Sequence, residues 1–118
     1  MRYYLDQLPL TRRVLTEDIA AQVVRGAADA DPSEVVWMRE DGVGSLLMVP
    51  VRSRSRVVGL FECHLQARTP WRREQIRAAR QIAAVAGPVL DNLLRADPPR
   101  ADTESPALLA HIVARQPG

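Results

Sequence analysis

Two apolar runs joined by a short basic link limit this chain more than any other feature. Residues 45–51 read SLLMVPV and residues 57–66 read VVGLFECHLQ, with RSRSR at 52–56 between them. Short runs rich in Val, Leu and Phe predict two strands, and the polar link predicts that they fold back as a hairpin. The link has no Asn-Gly pair, so its residues leave the turn type open. Pro50 cannot donate to a ladder, so its nitrogen is expected at a gap or a strand end.

A long amphipathic helix follows. Thr69-Pro70 predicts its start, with Thr as N-cap and Pro at the first helical position. Ile76, Ala79, Ile82, Ala83, Ala86, Val89, Leu90 and Leu93 then recur at spacings of three and four. Ile82, Ala86, Val89 and Leu93 are the expected inner stripe against the sheet. Ala79, Ala83 and Leu90 would lie to one side as a second contact surface. Gly87-Pro88 predicts a kink, because proline removes a ladder bond.

Upstream, residues 9–15 suit a short helix and residues 19–25 (IAAQVVR) a strand. Asp31 or Ser33 caps a second helix running to about Asp41, with Pro32 in its first turn; Gly42 and Gly44 break it. Downstream, residues 96–104 (ADPPRADTE) read as a linker. Residues 107–115 are expected to be a last short helix, with Leu108, Leu109, Ile112 and Val113 on one face. The fold class is therefore α/β (α+β): an antiparallel sheet of about three recognisable strands with a long C-terminal helix on one face. The organisation is a domain over 1–95, a linker over 96–104 and a short helical tail over 105–118.

Composition narrows the function. The 118 residues suit one small domain, and aromatics are only 4%, so aliphatic side chains must fill its core. All sixteen basic residues are Arg, and the net charge is +2. The three arginines of RSRSR lack the wider basic surface and stacking aromatics that nucleic-acid binding requires. Cys63 is the single cysteine, which rules out an intrachain disulfide or a CxxC motif and favours a reducing compartment. No apolar run approaches the roughly 20 residues that span a bilayer, and the N-terminus has no signal-like stretch. The expected location is cytoplasmic, without membrane contact. GxGxxG, P-loop, GxSxG and HExxH motifs are all missing.

The order SLLMVPV, RVVGLFE and a helix ending AGPVLDNLLR resembles the C-terminal half of a GAF domain, with LPLTRRVLTED and DADPSEVVWMREDGVGS resembling its upstream segments. The likeness covers about residues 5–95. It implies an α/β sandwich with helices against one sheet face and a ligand pocket on the other. It also implies a non-catalytic sensor or regulatory role in bacterial signal transduction, binding a small molecule or dimerising. The long helix of such domains often pairs with a copy or continues into a partner signalling domain. GAF domains normally begin with a further helix and two strands, so the chain looks N-terminally truncated. The strand at 57–66 would then be an open edge, in a fragment, a chain with a misassigned start or a chain completed by a partner.

Trp37, Ser45, Glu62 and His64 are the candidate ligand-binding residues. Strand alternation puts Val58, Leu60, Glu62 and His64 on one face. If the turn holds an even number of residues, Ser45, Leu47, Val49 and Val51 share that face. Trp37 and Met38 would lie over it from the short helix. No catalytic, metal or cofactor residue is expected. Bilin-attaching Cys-His pairs and haem-binding histidines of GAF sensors lie before the strand equivalent to SLLMVPV, whereas Cys63-His64 lies after it. His64 and His111 are far apart in sequence and show no metal-ligand spacing. The GAF-fold methionine sulfoxide reductases use a set of cysteines, and this chain has one. The other reading is a degenerate GAF-like interaction subunit that has lost ligand binding; a filled sheet face would favour it, an open one sensing.

Overall fold

The computed structural model describes residues 7–96 and 111–116. The elements run α1 (Pro9–Glu17), β1 (Ala21–Val24), α2 (Pro32–Glu40), β2 (Ser45–Ser53), β3 (Arg56–Leu65), α3 (Arg73–Ala96) and β4 (His111–Gln116). The strands form one sheet in the order β1-β2-β3-β4. The first three are antiparallel neighbours, and β4 runs parallel to β3. The expected α/β class with a long helix on the sheet is what the chain adopts. β1 pairs only as far as Met48, so Pro50 lies where β2 has β3 on one side and no strand on the other.

Local chemistry sets the helix ends. Asp31 caps α2, its Oδ1 accepting from the backbone N–H of Ser33 at 3.0 Å and Glu34 at 3.1 Å. Pro32 follows at the first helical position, where a missing N–H costs nothing. The start of α3 is Arg73, not Thr69-Pro70. The Ser45 hydroxyl accepts from the Thr69 N–H at 2.8 Å and lies 2.7 Å from the Ala67 and Thr69 carbonyls, tying that loop to the sheet. Gln75 instead accepts from the Arg72 N–H at 2.8 Å, the return half of a capping box.

A β-bulge decides which residues share a face. The turn is two residues long, Arg54-Ser55, flanked by the pair Ser53↔Arg56. The even turn would have put Ser45 with His64. Between Val51 and Arg52, however, the register shifts, and Val58 becomes the extra residue on β3. A one-residue slip exchanges faces. Glu62 and His64 therefore stand opposite Met48 and Leu46. Ser45, Leu47 and Val49 go to the other face with Cys63 and Phe61, and Val58 packs there too.

Each sheet face carries its own core. Val14, Val23, Trp37, Met38, Leu46, Met48 and Leu60 fill the layer beneath α1 and α2. Leu47, Val49, Val51, Val58, Phe61, Ala79 and Ala83 fill the layer beneath α3. Each of Met38, Leu46, Met48 and Leu60 is fully buried, worth about 1.5–3 kcal/mol apiece by transfer from water.

The inner stripe of α3 is made of its small residues. Ala79, Ala83, Gly87 and Asp91 are buried, while Ile82, Val85, Val89 and Leu93 are 54–75% exposed. The expected stripe of large aliphatics is thus reversed. Closeness explains it: a Cβ on Gly87 would sit 1.8 Å from the Arg52 carbonyl oxygen. Only small residues let the helix lie this near the hairpin. Asp91 then fastens the two, accepting from Ser53 Oγ at 3.0 Å, Arg56 Nη2 at 3.0 Å and Arg95 Nε at 3.2 Å. Burial pushes its carboxyl up, but the bonds from Ser53, Arg56 and Arg95 outweigh that and hold it below the usual range. The helix runs on through Pro88 as one element of 24 residues.

Residues 111–116 form a strand, not the expected end of a helix. The Val and Ile there suit either state, and the open edge of β3 decides it. β4 pairs along β3 from Leu60↔His111 to Leu65↔Gln116, so the expected bare edge is covered by the chain itself. The linker and the rest of the expected tail helix, residues 97–110, lie outside the described residues.

Candidate functional site

Glu62 and His64 rise from β3 into the layer beneath α2. His64 Nε2 lies 3.1 Å from Glu62 Oε1, and His111 Nε2, from the first residue of β4, lies 2.9 Å from the same oxygen. The Trp37 ring stands against His64, centroids 5.4 Å apart and tilted by 43°. The Trp37 Nε1–H donates to Glu34 Oε1 at 2.7 Å, and the Thr11 hydroxyl donates to Glu34 Oε2 at 2.6 Å. A continuous chain results, buried from Thr11 through Glu34, Trp37, His64 and Glu62 and ending at the exposed His111.

The two carboxylates of this chain titrate in opposite directions. Burial pushes Glu62 up, but the bonds and charges of His111 and His64 bring it below the usual range. Burial raises Glu34 above its ordinary value; the Thr11 and Trp37 bonds oppose this incompletely, and the Glu62 charge adds to it. An ionised Glu62 is an acceptor only, so each histidine Nε2 facing it carries the proton. The other ring nitrogen of His64, Nδ1, is buried, in a side chain 5% exposed, and has no partner among the described residues.

His64 also lines a recess of about 250 Å³ at this end of the sheet. Its walls are residues 41–43 after α2, residues 64–66 at the end of β3, and Arg115 of β4. The rest of the face is solidly packed: Met38, Leu46, Met48 and Leu60 leave it closed.

Three of the four expected site residues meet here: Trp37, Glu62 and His64. Ser45 does not, since the bulge turns it to the α3 face, where it ties down the 67–69 loop. Glu34, His111 and Arg115 were missed. Glu34 stands three residues after the capping Asp31, where a capping-box glutamate normally turns back to the N-cap N–H; here it turns inward. His111, distant in sequence, is brought to Glu62 by the β3–β4 pairing. The described residues hold no group of three or more His, Cys, Asp or Glu side chains suited to a metal ion. Cys63 is half-buried on the α3 side, and burial, with the Glu62 charge, pushes its thiol up to about 11. It is protonated at neutral pH and a poor nucleophile.

A sheet covered by helices on both faces, with a polar cluster at one end, defines a small α/β domain. The chain belongs to the GAF domain family, whose profile matches residues 5–90. GAF domains are generally regulatory or sensor domains that bind small molecules, and they are typically non-catalytic. No curated protein matches the chain. Among the described residues no helix is long and apolar enough to cross a membrane.

Proposed function

We propose that this GAF domain is a non-catalytic cytoplasmic sensor of bacterial signal transduction, and that its small-molecule ligand binds in the recess beside His64. The observation that carries this reading is the unpartnered Nδ1 of a buried histidine at a recess wall. Buried polar atoms are almost always paired, and unpaired ones concentrate at functional sites. The sealed remainder of the sheet face leaves this end as the place for a ligand. The test is two-dimensional amide NMR with pooled amino acids, hydroxy acids, dicarboxylic acids and nucleosides. A ligand should shift the amides of Gly42, Val43 and Leu65 saturably, and His64→Phe should abolish the shifts while the remaining spectrum stays dispersed. If no pool moves these amides, the reading fails.

A second reading, a dimerising interaction subunit, is favoured by α3. Ile82, Val85 and Val89 follow the three-four spacing of a helix seam and are more than half exposed. With Ala86, Leu90 and Ile112 of β4 they line an apolar groove of about 430 Å³. A seam of this kind fits another helix, and a second copy of α3 presents the same seam in a two-fold pairing. Light scattering should give a dimer that Val85→Glu with Val89→Glu converts to a folded monomer; a wild-type monomer at 100 µM would exclude it.

A further inference from the structure

We infer that β4 couples the two faces of the sheet: the contact that holds it on one face keeps a wall of the apolar groove in place on the other, so the Glu62–His111 contact and pairing along α3 favour each other. This rests on the dimer reading above and adds a regulation to it. The strand itself is lightly held. β4 is the last strand of the sheet and pairs in parallel with β3 alone. Of residues 111–115, Ile112 is half-buried and the other four are exposed. An element that buries so little opens locally at a low free-energy cost.

Two neighbouring residues anchor β4, and strand alternation sends them to opposite faces. His111 stands in register with Leu60 and meets Glu62 on the face beneath α2, Nε2 to Oε1 at 2.9 Å. Glu62 is 6% exposed, and its ion-pair partners among the described residues are His64 and His111. Losing His111 would leave a buried carboxylate with half its support, a costly change. Ile112 is the next residue, in register with Phe61, and packs into the layer beneath α3.

Ile112 is also what makes the α3 surface a groove. Among the described residues, every other side chain of its wall belongs to α3, including Ile82, Val85 and Val89. With β4 docked, a second copy of α3 meets a surface with two sides. With β4 detached, it meets only the flank of a helix. A partner that prefers the groove therefore stabilises docked β4. By reciprocity, whatever steadies His111 against Glu62 favours that partner.

The test is hydrogen exchange and methyl NMR on the whole chain, with light scattering for the dimer. The hydrogen-bonded β4 amides should exchange at least threefold more slowly at about 200 µM than at about 5 µM, since pairing protects the docked strand by mass action. The β1 amides, at the far edge of the sheet, should keep one rate. His111 lies on the face away from the groove, so His111→Ala removes no contact with a partner there. It should nevertheless speed β4 exchange at least tenfold, shift the methyls of Val85 and Val89, and weaken the dimer at least threefold, while the remaining amide spectrum stays dispersed. Val113→Thr, on the same strand but at neither anchor, should change none of these. A dimer whose β4 amides exchange equally at both concentrations, or a His111→Ala variant that pairs as tightly as the wild type, overturns the coupling and leaves the dimer reading standing. A wild-type chain that stays monomeric overturns both.

Discussion

Gly87→Ala pits helix propensity directly against packing. In an open helix the change should stabilise by about 1 kcal/mol, because glycine is the poorer helix former. In α3 the added Cβ would meet Arg52 O at 1.8 Å and Arg52 C at 2.8 Å. Both are backbone atoms of β2, beside the bulge, so no side chain can rotate away. The helix must retreat by at least about 1.2 Å, an overpacking strain of roughly 3 kcal/mol at the upper end of its range. The retreat also loosens Ala79 and Ala83 against Leu47, Val49 and Val51. Net of propensity, the expected loss is about 2 kcal/mol. For a domain of this size that lowers Tm by about 8 °C. Thermal unfolding by circular dichroism and urea unfolding by tryptophan fluorescence would measure it. Ala84→Gly on the exposed side of α3 is the matched control, expected to lose about 1 kcal/mol from propensity alone. If Gly87→Ala is as stable as the wild type or more so, the close approach of α3 to the hairpin is wrong.

Four further perturbations address other parts of the structure. Glu62 has a folded value held below its ordinary 4.5, so its contribution is complete above that pH and disappears as pH falls through the lower folded value. Glu62→Gln should cost about 1–3 kcal/mol at pH 7 and show a smaller deficit in urea titrations at pH 3; a pH-independent deficit would contradict the pairing. Glu34 is raised, so its sign is reversed: wild-type stability falls as pH rises above 4.5, and Glu34→Gln should remove that slope. Cys63, at about 11, exposes roughly one thiolate in ten thousand at pH 7; aromatic disulfide reagents should label the native protein at least a hundredfold more slowly than the urea-unfolded chain, and equal rates would refute its burial. Deleting Val58 takes out the extra residue and leaves Glu62 opposite Met48 and His64 opposite Leu46, so the variant should keep a native-like amide spectrum and cooperative unfolding; a collapsed spectrum would show that Val58 is not the residue the ladder passes over.

The strands β2 and β3, their hairpin and the existence of α3 were legible because apolar runs and helical spacing are local signals. What escaped was set by contact between elements. Nothing in VVGLF marks Val58 as an extra residue, yet it exchanged the faces and separated Ser45 from Glu62 and His64. Large aliphatics looked like the inner stripe of α3 because hydrophobicity was weighed without distance; Ala79, Ala83 and Gly87 won because the helix lies so close to the hairpin. Residues 111–115 carry a pattern compatible with either state, and only the edge of β3 resolves it. The site was half visible for the same reason: Trp37, Glu62 and His64 lie near the recognisable strands, whereas His111 and Arg115 arrive through a pairing across the chain.

During synthesis, β3 leaves the ribosome well ahead of the strand that pairs with it. Leu65 and His111 are 46 positions apart, which at about 5–20 residues per second is roughly 2–9 s. The hairpin and α3 close short loops and can form in that interval, while the parallel ladder closes a long one and comes last. Until then β3 offers bare backbone groups to any neighbouring nascent chain. Glu62 bears on this moment. A carboxylate pointing inward from an edge strand is one of the ways proteins discourage foreign strands. Before His111 arrives, that charge has only His64 beside it. The residue that later receives β4 is thus also the one that makes the vacant edge unwelcoming to others.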